Sequence, residues 1–110
     1  MQMNVKFGFC VPEQKRIRLI INTDAKNEID DQYAIVHALL TPKFDIKGII
    51  GAHFEDDKSA TSMLDSCNEI KKLFELMNIM DEQLIFQGAE YKIIDKNNLP
   101  DSKNIIVNGR

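Results

Sequence analysis

The chain is poor in cysteine, with Cys10 and Cys67 its only two, too few and too widely separated for a disulfide framework or a zinc-ligand pair. Nothing resembling a secretory signal opens it, so free thiols and a cytoplasmic location are the expectation. It also lacks any apolar run near the roughly 20 residues needed to cross a bilayer, which excludes a membrane-spanning segment from the expected architecture. Lysine and arginine number 14 against 17 acids, a net charge of −3. Without clustered basic residues there is no electrostatic case for nucleic acid, and a cation is the better expected partner. Internal repeats and low-complexity stretches are absent as well.

What is present is ordinary globular composition, 44% hydrophobic and 28% charged, which argues against disorder and fibrous repeats. A chain of 110 residues makes one modest domain able to bury roughly two-thirds of the surface exposed when unfolded.

Residues 1–15 mix polar positions with Phe7, Phe9, Cys10 and Val11, and Pro12 interrupts them; they read as an N-terminal arm. In "RIRLIINT", Ile17, Leu19, Ile20 and Ile21 form a β-branched run too short for a helix, which predicts a buried strand. Asp31 to Leu40 is apolar on most sides and halts at Thr41 and Pro42, predicting a largely buried helix. "FDIKGIIGA", Phe44 to Ala52, predicts a second strand weakened at Gly48 and Gly51. Beyond it Met63, Cys67, Ile70, Phe74 and Met77 are spaced four, three, four and three apart, the single stripe of an amphipathic helix that Ser59 or Ser62 could cap. Gln83 to Phe86 predicts a short third strand and Asn104 to Val107 a weaker fourth. Strand alternating with helix through short connections predicts an α/β fold, an open, mainly parallel sheet flanked by helices. Ligands in such sheets gather at the carboxyl ends of strands, and the loop after the first strand starts there.

That loop is acidic. Asp24, Glu28, Asp30 and Asp31 stand against the single Lys26 within eight residues. Held together without a counterion, these carboxylates would raise one another's pKa values. A hard divalent cation resolves the conflict, because calcium and magnesium prefer carboxylate oxygens and calcium tolerates irregular placement. The spacing is neither that of an EF-hand nor that of a glycine-rich phosphate loop. A plainer reading stays open beside it: acids at a helix start gain roughly 0.3 to 1 kcal/mol each from the helix dipole, and Glu28 could simply face water.

The stretch "IINTDAKNEIDDQYAIVHALL" resembles the N-terminal motif of the inosine/uridine-preferring nucleoside hydrolases, in which a strand ends in Asp-Thr-Asp and two adjacent acids open the next helix. "NEIDDQ" is similar to a subgroup of that superfamily, and "GIIGAHF" and "QGAE" fall where its second and third strand ends would lie. The resemblance implies a nucleoside hydrolase-like fold and a calcium-dependent hydrolase that splits the N-glycosidic bond of a ribonucleoside, giving ribose and free base. Carried over by motif, Asp24 would ligate calcium and act as the catalytic base, Asp31 would be a further calcium ligand, and Asp30 would hold ribose hydroxyls. Asn27 and Glu28 match the subgroup pattern and would line the substrate pocket.

The chain departs from the commoner motif at Asn22, which replaces its first Asp, and at Ala25 to Glu28, which replace Pro-Gly and add two residues before Asp30. Family members are considerably longer, so residues 16–110 are expected to be a partial domain, truncated at its C-terminus and holding part of a calcium site. A non-catalytic cation- or sugar-binding module acting as a subunit is the alternative. Phosphoryl transfer with magnesium is a third reading, weakened by the absence of a lysine or glycine-rich cradle.

His53, just past the second strand, could reach the same edge as Asp24 and is a candidate substrate-binding residue. His37 reads as an ordinary helix residue, Glu55 to Asp57 as a solvated loop, Cys67 as a small core residue, Cys10 as unactivated, and Met63, Met77 and Met80 as packing. Self-association into a homo-oligomer is left open.

Overall fold

The structure, a computed structural model, describes residues 8–27, 29–54, 61–89 and 95–97. Three parallel strands form an open sheet: β1 (Ile17–Thr23), β2 (Phe44–Gly51) and β3 (Ile85–Gln87), in the order β1-β2-β3. Helix α1 (Ile29–Leu40) connects β1 to β2, and α2 (Thr61–Leu76) lies between β2 and β3. Parallel neighbours require such crossovers, because a hairpin can only return the chain antiparallel.

Both helices cover the same face of the sheet. Ile35, Ala38 and Leu39 of α1, Ile70 and Phe74 of α2, and Ile46 and Ile49 of β2 belong to a single core cluster, with Leu19 and Ile21 of β1 packed against it. Ile46 and Ile49 are three residues apart, a spacing that strict alternation in a strand would send to opposite faces. A register slip resolves this: Leu19 pairs with Ile46 but Ile20 pairs with Gly48. Lys47 is therefore bulged out of the ladder, and the strand re-enters phase with Ile49 facing inward beside Ile21. The other face of the sheet carries Ile20, 39% exposed, and the half-buried Ile50 and Phe86.

The amino edge of the sheet is held by charge as well as by packing. Arg16 donates from Nε to the Pro42 carbonyl at 3.2 Å and from Nη2 to the Phe44 carbonyl at 3.0 Å, and Asp45 pairs with Lys47 at 2.9 Å.

Helix α2 follows its predicted stripe: Met63, Cys67, Ile70 and Phe74 are buried, and Met77 is half-buried. Its end is a Schellman motif. Asn78 takes a positive φ of 56°, the Ile79 N–H donates to the Phe74 carbonyl at 2.8 Å and the Asn78 N–H to the Glu75 carbonyl at 3.2 Å. The accompanying apolar contact joins Ile79 to Phe74 in the core.

Several elements differ from the sequence expectation. Helix α1 is not largely buried: Ile29 is 66% and Tyr33 70% exposed, because only the Ile35, Ala38, Leu39 side meets the sheet. It also begins two residues before Asp31. Ser62 is no cap, since it lies inside α2 and its Oγ accepts from the Phe54 N–H at 3.2 Å; Ser59 lies outside the described residues. The third strand is shorter than "QLIF", because Glu82–Leu84 closes into a 3-10 turn first. Met80 is 88% exposed rather than packed. In the arm, Glu13–Lys15 forms another 3-10 turn, and the fourth candidate strand, 104–107, lies outside the described residues. Among the described residues no helix is long and apolar enough to cross a membrane.

Candidate cation site at the carboxyl edge of the sheet

All three strands end at one edge, and backbone hydrogen bonds carry the ladder just past them: the Ala52 N–H donates to the Thr23 carbonyl at 2.8 Å and the Gly88 N–H to the Gly51 carbonyl at 3.0 Å. The loops after β1, β2 and β3 thus start side by side, as the ligand edge of a parallel sheet requires. Room for this convergence comes from Gly51: a Cβ there would lie 2.4 Å from Cys67 Sγ, so the α2 backbone rests directly on the end of β2. The Ser66 hydroxyl donates to the Ala52 carbonyl at 2.9 Å, tying the second loop to α2.

Thr23 is the last residue of β1 and is buried. Its Oγ1 donates to Asp31 Oδ2 at 2.9 Å, so the strand end orients the first-turn carboxylate of α1. Alternation along the strand sends Asn22 to the opposite face, where it is exposed. The residue that departs from the family motif therefore stands away from the Thr23–Asp31 contact.

Asp24 opens a turn closed by the Asn27 N–H, which donates to the Asp24 carbonyl at 2.8 Å. Asn27 Nδ2 also donates to Asp24 Oδ2 at 3.2 Å. Ala25, with no exposed surface, anchors the turn in the core. Asp24 and Asp31, seven positions apart in the chain, lie near enough for their carboxyl groups to interact. That contact is the largest cause holding the Asp31 pKa above the ordinary carboxylate value; the Thr23 hydroxyl opposes it, while burial and the charges of Asp24 and Asp30 add to it. A neighbouring carboxyl group of like charge disfavours ionisation, which is the direction Asp31 shows.

The other candidate residues take different places. Asp30 is exposed at the start of α1, and its Oδ1 accepts from the Asp31 N–H at 3.1 Å. Asn27, a candidate pocket residue, is exposed and donates from its side chain to Asp24. His53 is half-buried on the loop that leaves β2, at the same edge. Glu28 lies outside the described residues. Lys26 pairs with Glu69 of α2 at 3.6 Å.

The hard oxygens of Asp24 and Asp31, with the Asp31 carboxylate already oriented by a hydroxyl, suit calcium or magnesium better than a soft metal. Among the described residues no group of three or more His, Cys, Asp or Glu side chains gathers to hold an ion. The sequence reading gave no part to Thr23 or Glu69. Thr23 had a signal, a hydroxyl at a strand end flanked by acid, whereas the partners of Glu69 lie up to 43 residues away (69 minus 26) and leave no local pattern. Neither a scan against protein-family models nor searches of curated proteins and of solved structures found a match.

Proposed function

We propose that this chain carries the cation-binding end of a nucleoside hydrolase-like protein, in which calcium-dependent cleavage of a ribonucleoside N-glycosidic bond releases ribose and base. The observation that carries this reading is the meeting of Asp24 and Asp31 at the carboxyl end of β1, with Asp31 oriented by Thr23. Asp24 and Asp31 would hold the ion. When bound, calcium supplies a positive charge that makes a nearby water more acidic. Asp24, fixed by Asn27, takes the proton from the attacking water. Asp30, exposed beside the pair, receives ribose hydroxyls. The clustered negative charge favours the positive charge that develops on the sugar as the base departs.

A second reading, a module that binds a cation or sugar without catalysis, is favoured by one feature: two described carboxylates meet rather than three. Calorimetric titration with calcium, combined with assays of ribose release from inosine and uridine with and without a chelator, separates the two. Chelator-sensitive release supports the hydrolase, and calcium binding without release supports the module. The absence of both sinks the site altogether. Asp24→Asn is expected to abolish calcium binding and any turnover while leaving the far-ultraviolet circular dichroism unchanged.

A further inference from the structure

Lys26 is the one cation inside the acidic loop, two positions from Asp24 and five from Asp31. A lysine so close in sequence is the natural internal counterion for the pair, yet it is engaged elsewhere. Its Nζ lies 3.6 Å from Glu69 Oε2, and the Glu69 side chain is only 12% exposed. The other carboxylate oxygen of Glu69, Oε1, accepts from Gln32 Nε2 at 2.7 Å. Lys72 approaches Oε2 from the α2 side at 3.8 Å. One largely buried carboxylate therefore grips both ends of the loop: Lys26 inside it, and Gln32, the residue immediately after Asp31.

We infer that Glu69 is a positioning residue: it holds Lys26 clear of the Asp24/Asp31 carboxyl pair, leaving the pair to an external divalent cation instead of a tethered ammonium. This rests on the reading of the pair as a cation site. The Gln32 contact adds a second function, fixing the first turn of α1 relative to α2 so that Asp31 stays under Thr23. A tethered ammonium competes with a dissolved ion at high effective concentration, so keeping Lys26 away matters more than its modest ion pair with Glu69 would suggest.

The test uses the 110-residue chain in four forms: wild type, Glu69→Gln, Lys26→Met, and the double variant. Glutamine keeps an oxygen for Gln32 and removes the charge that attracts Lys26. Calcium affinity by calorimetry is expected to fall in Glu69→Gln by roughly 10- to 100-fold, the range typical of partners that orient metal ligands. It should return in the double variant, where the competing ammonium is gone, and stay unchanged in Lys26→Met alone. A double variant as weak as Glu69→Gln means that Glu69 acts only as scaffold and overturns the inference. So does Lys26→Met that binds calcium markedly tighter than wild type, because Lys26 would then already be competing. A crystal structure of Glu69→Gln decides the point without any metal: Lys26 Nζ within about 4 Å of the Asp24 or Asp31 carboxylate upholds the inference, and a solvent-facing Lys26 overturns it. If the wild type binds no divalent ion, the cation-site reading fails by itself, and that crystal structure still decides the role of Glu69.

Discussion

At the amino edge of the sheet Asp45 lies against Lys47 at 2.9 Å, while at the carboxyl edge Asp31 lies against another acid, Asp24. The two aspartates share a chemistry and are displaced in opposite directions. The hydrogen bond from Lys47 is the main cause holding the Asp45 pKa low, against its burial; the hydrogen bond with Asp24 is the main cause holding Asp31 high. Packing follows the same division. Phe74 and Ile79 join the apolar mass at the C-terminal end of α2, and at the other end Gly51, Ser62, Ser66 and Cys67 are small and closely stacked. One edge neutralises its charge and builds stability. The other keeps its charge in conflict, as sites of function commonly do.

The sharpest way to break this comparison is to remove bulk from the stabilising side. Phe74 has no exposed surface, and Phe74→Ala should cost about 3–5 kcal/mol in urea unfolding, the usual range for a buried aromatic ring. A loss below about 1 kcal/mol would show that the core is not centred there. Next comes crowding of the carboxyl edge: Gly51→Ala places a methyl 2.4 Å from Cys67 Sγ and 2.8 Å from the Cys67 backbone nitrogen, so α2 must shift. The expected cost is about 1–3 kcal/mol in urea unfolding.

The pH dependence of two neutralising variants sharpens the contrast. A carboxyl whose folded pKa is raised contributes stability that is complete below its unfolded pKa and lost as pH rises through the raised value; a lowered pKa contributes stability present above the unfolded value and lost as pH falls through the lowered one. Asp31→Asn should therefore be more stable than wild type at neutral pH, with the gain vanishing in acid. Asp45→Asn should be less stable at neutral pH, its deficit shrinking toward about pH 3. Urea midpoints across this range that moved in the same direction for both variants would erase the difference between the edges. The smallest effect belongs to Tyr33→Ser, at a position 70% exposed on α1, which should change stability by no more than about 0.5 kcal/mol.

Much of the architecture was legible in the sequence because it rests on local periodicity. The four-and-three spacing from Met63 to Phe74 predicted the buried side of α2, and the β-branched runs predicted β1 and β2 as strands. But β1 is not the buried strand expected: Ile17 and Ile20 are exposed, because the helices cover one face of the sheet alone. What escaped depends on pairing between distant segments. The slip between Leu19 and Ile20 exists only when two strands are side by side, and the exposed flank of α1 follows from helices covering one face alone. At the candidate site, charge density marked Asp24 and Asp31 in advance, whereas the hydroxyl that orients one of them and the glutamate that draws Lys26 aside are products of tertiary placement.

The bulge at Lys47 bears on how this chain can change length. Because β2 holds one residue more than its ladder with β1 uses, removing Lys47 would join Ile46 to Gly48 in an unbroken pleat with Ile49 still turned inward. Beyond the bulge the ladder has no spare residue, so removing Ile49 would instead bring Ile50 into the inward position under the helices. A single-residue deletion is thus tolerable to the pleat at the bulge and not beyond it, and taking it at Lys47 costs the ion pair with Asp45.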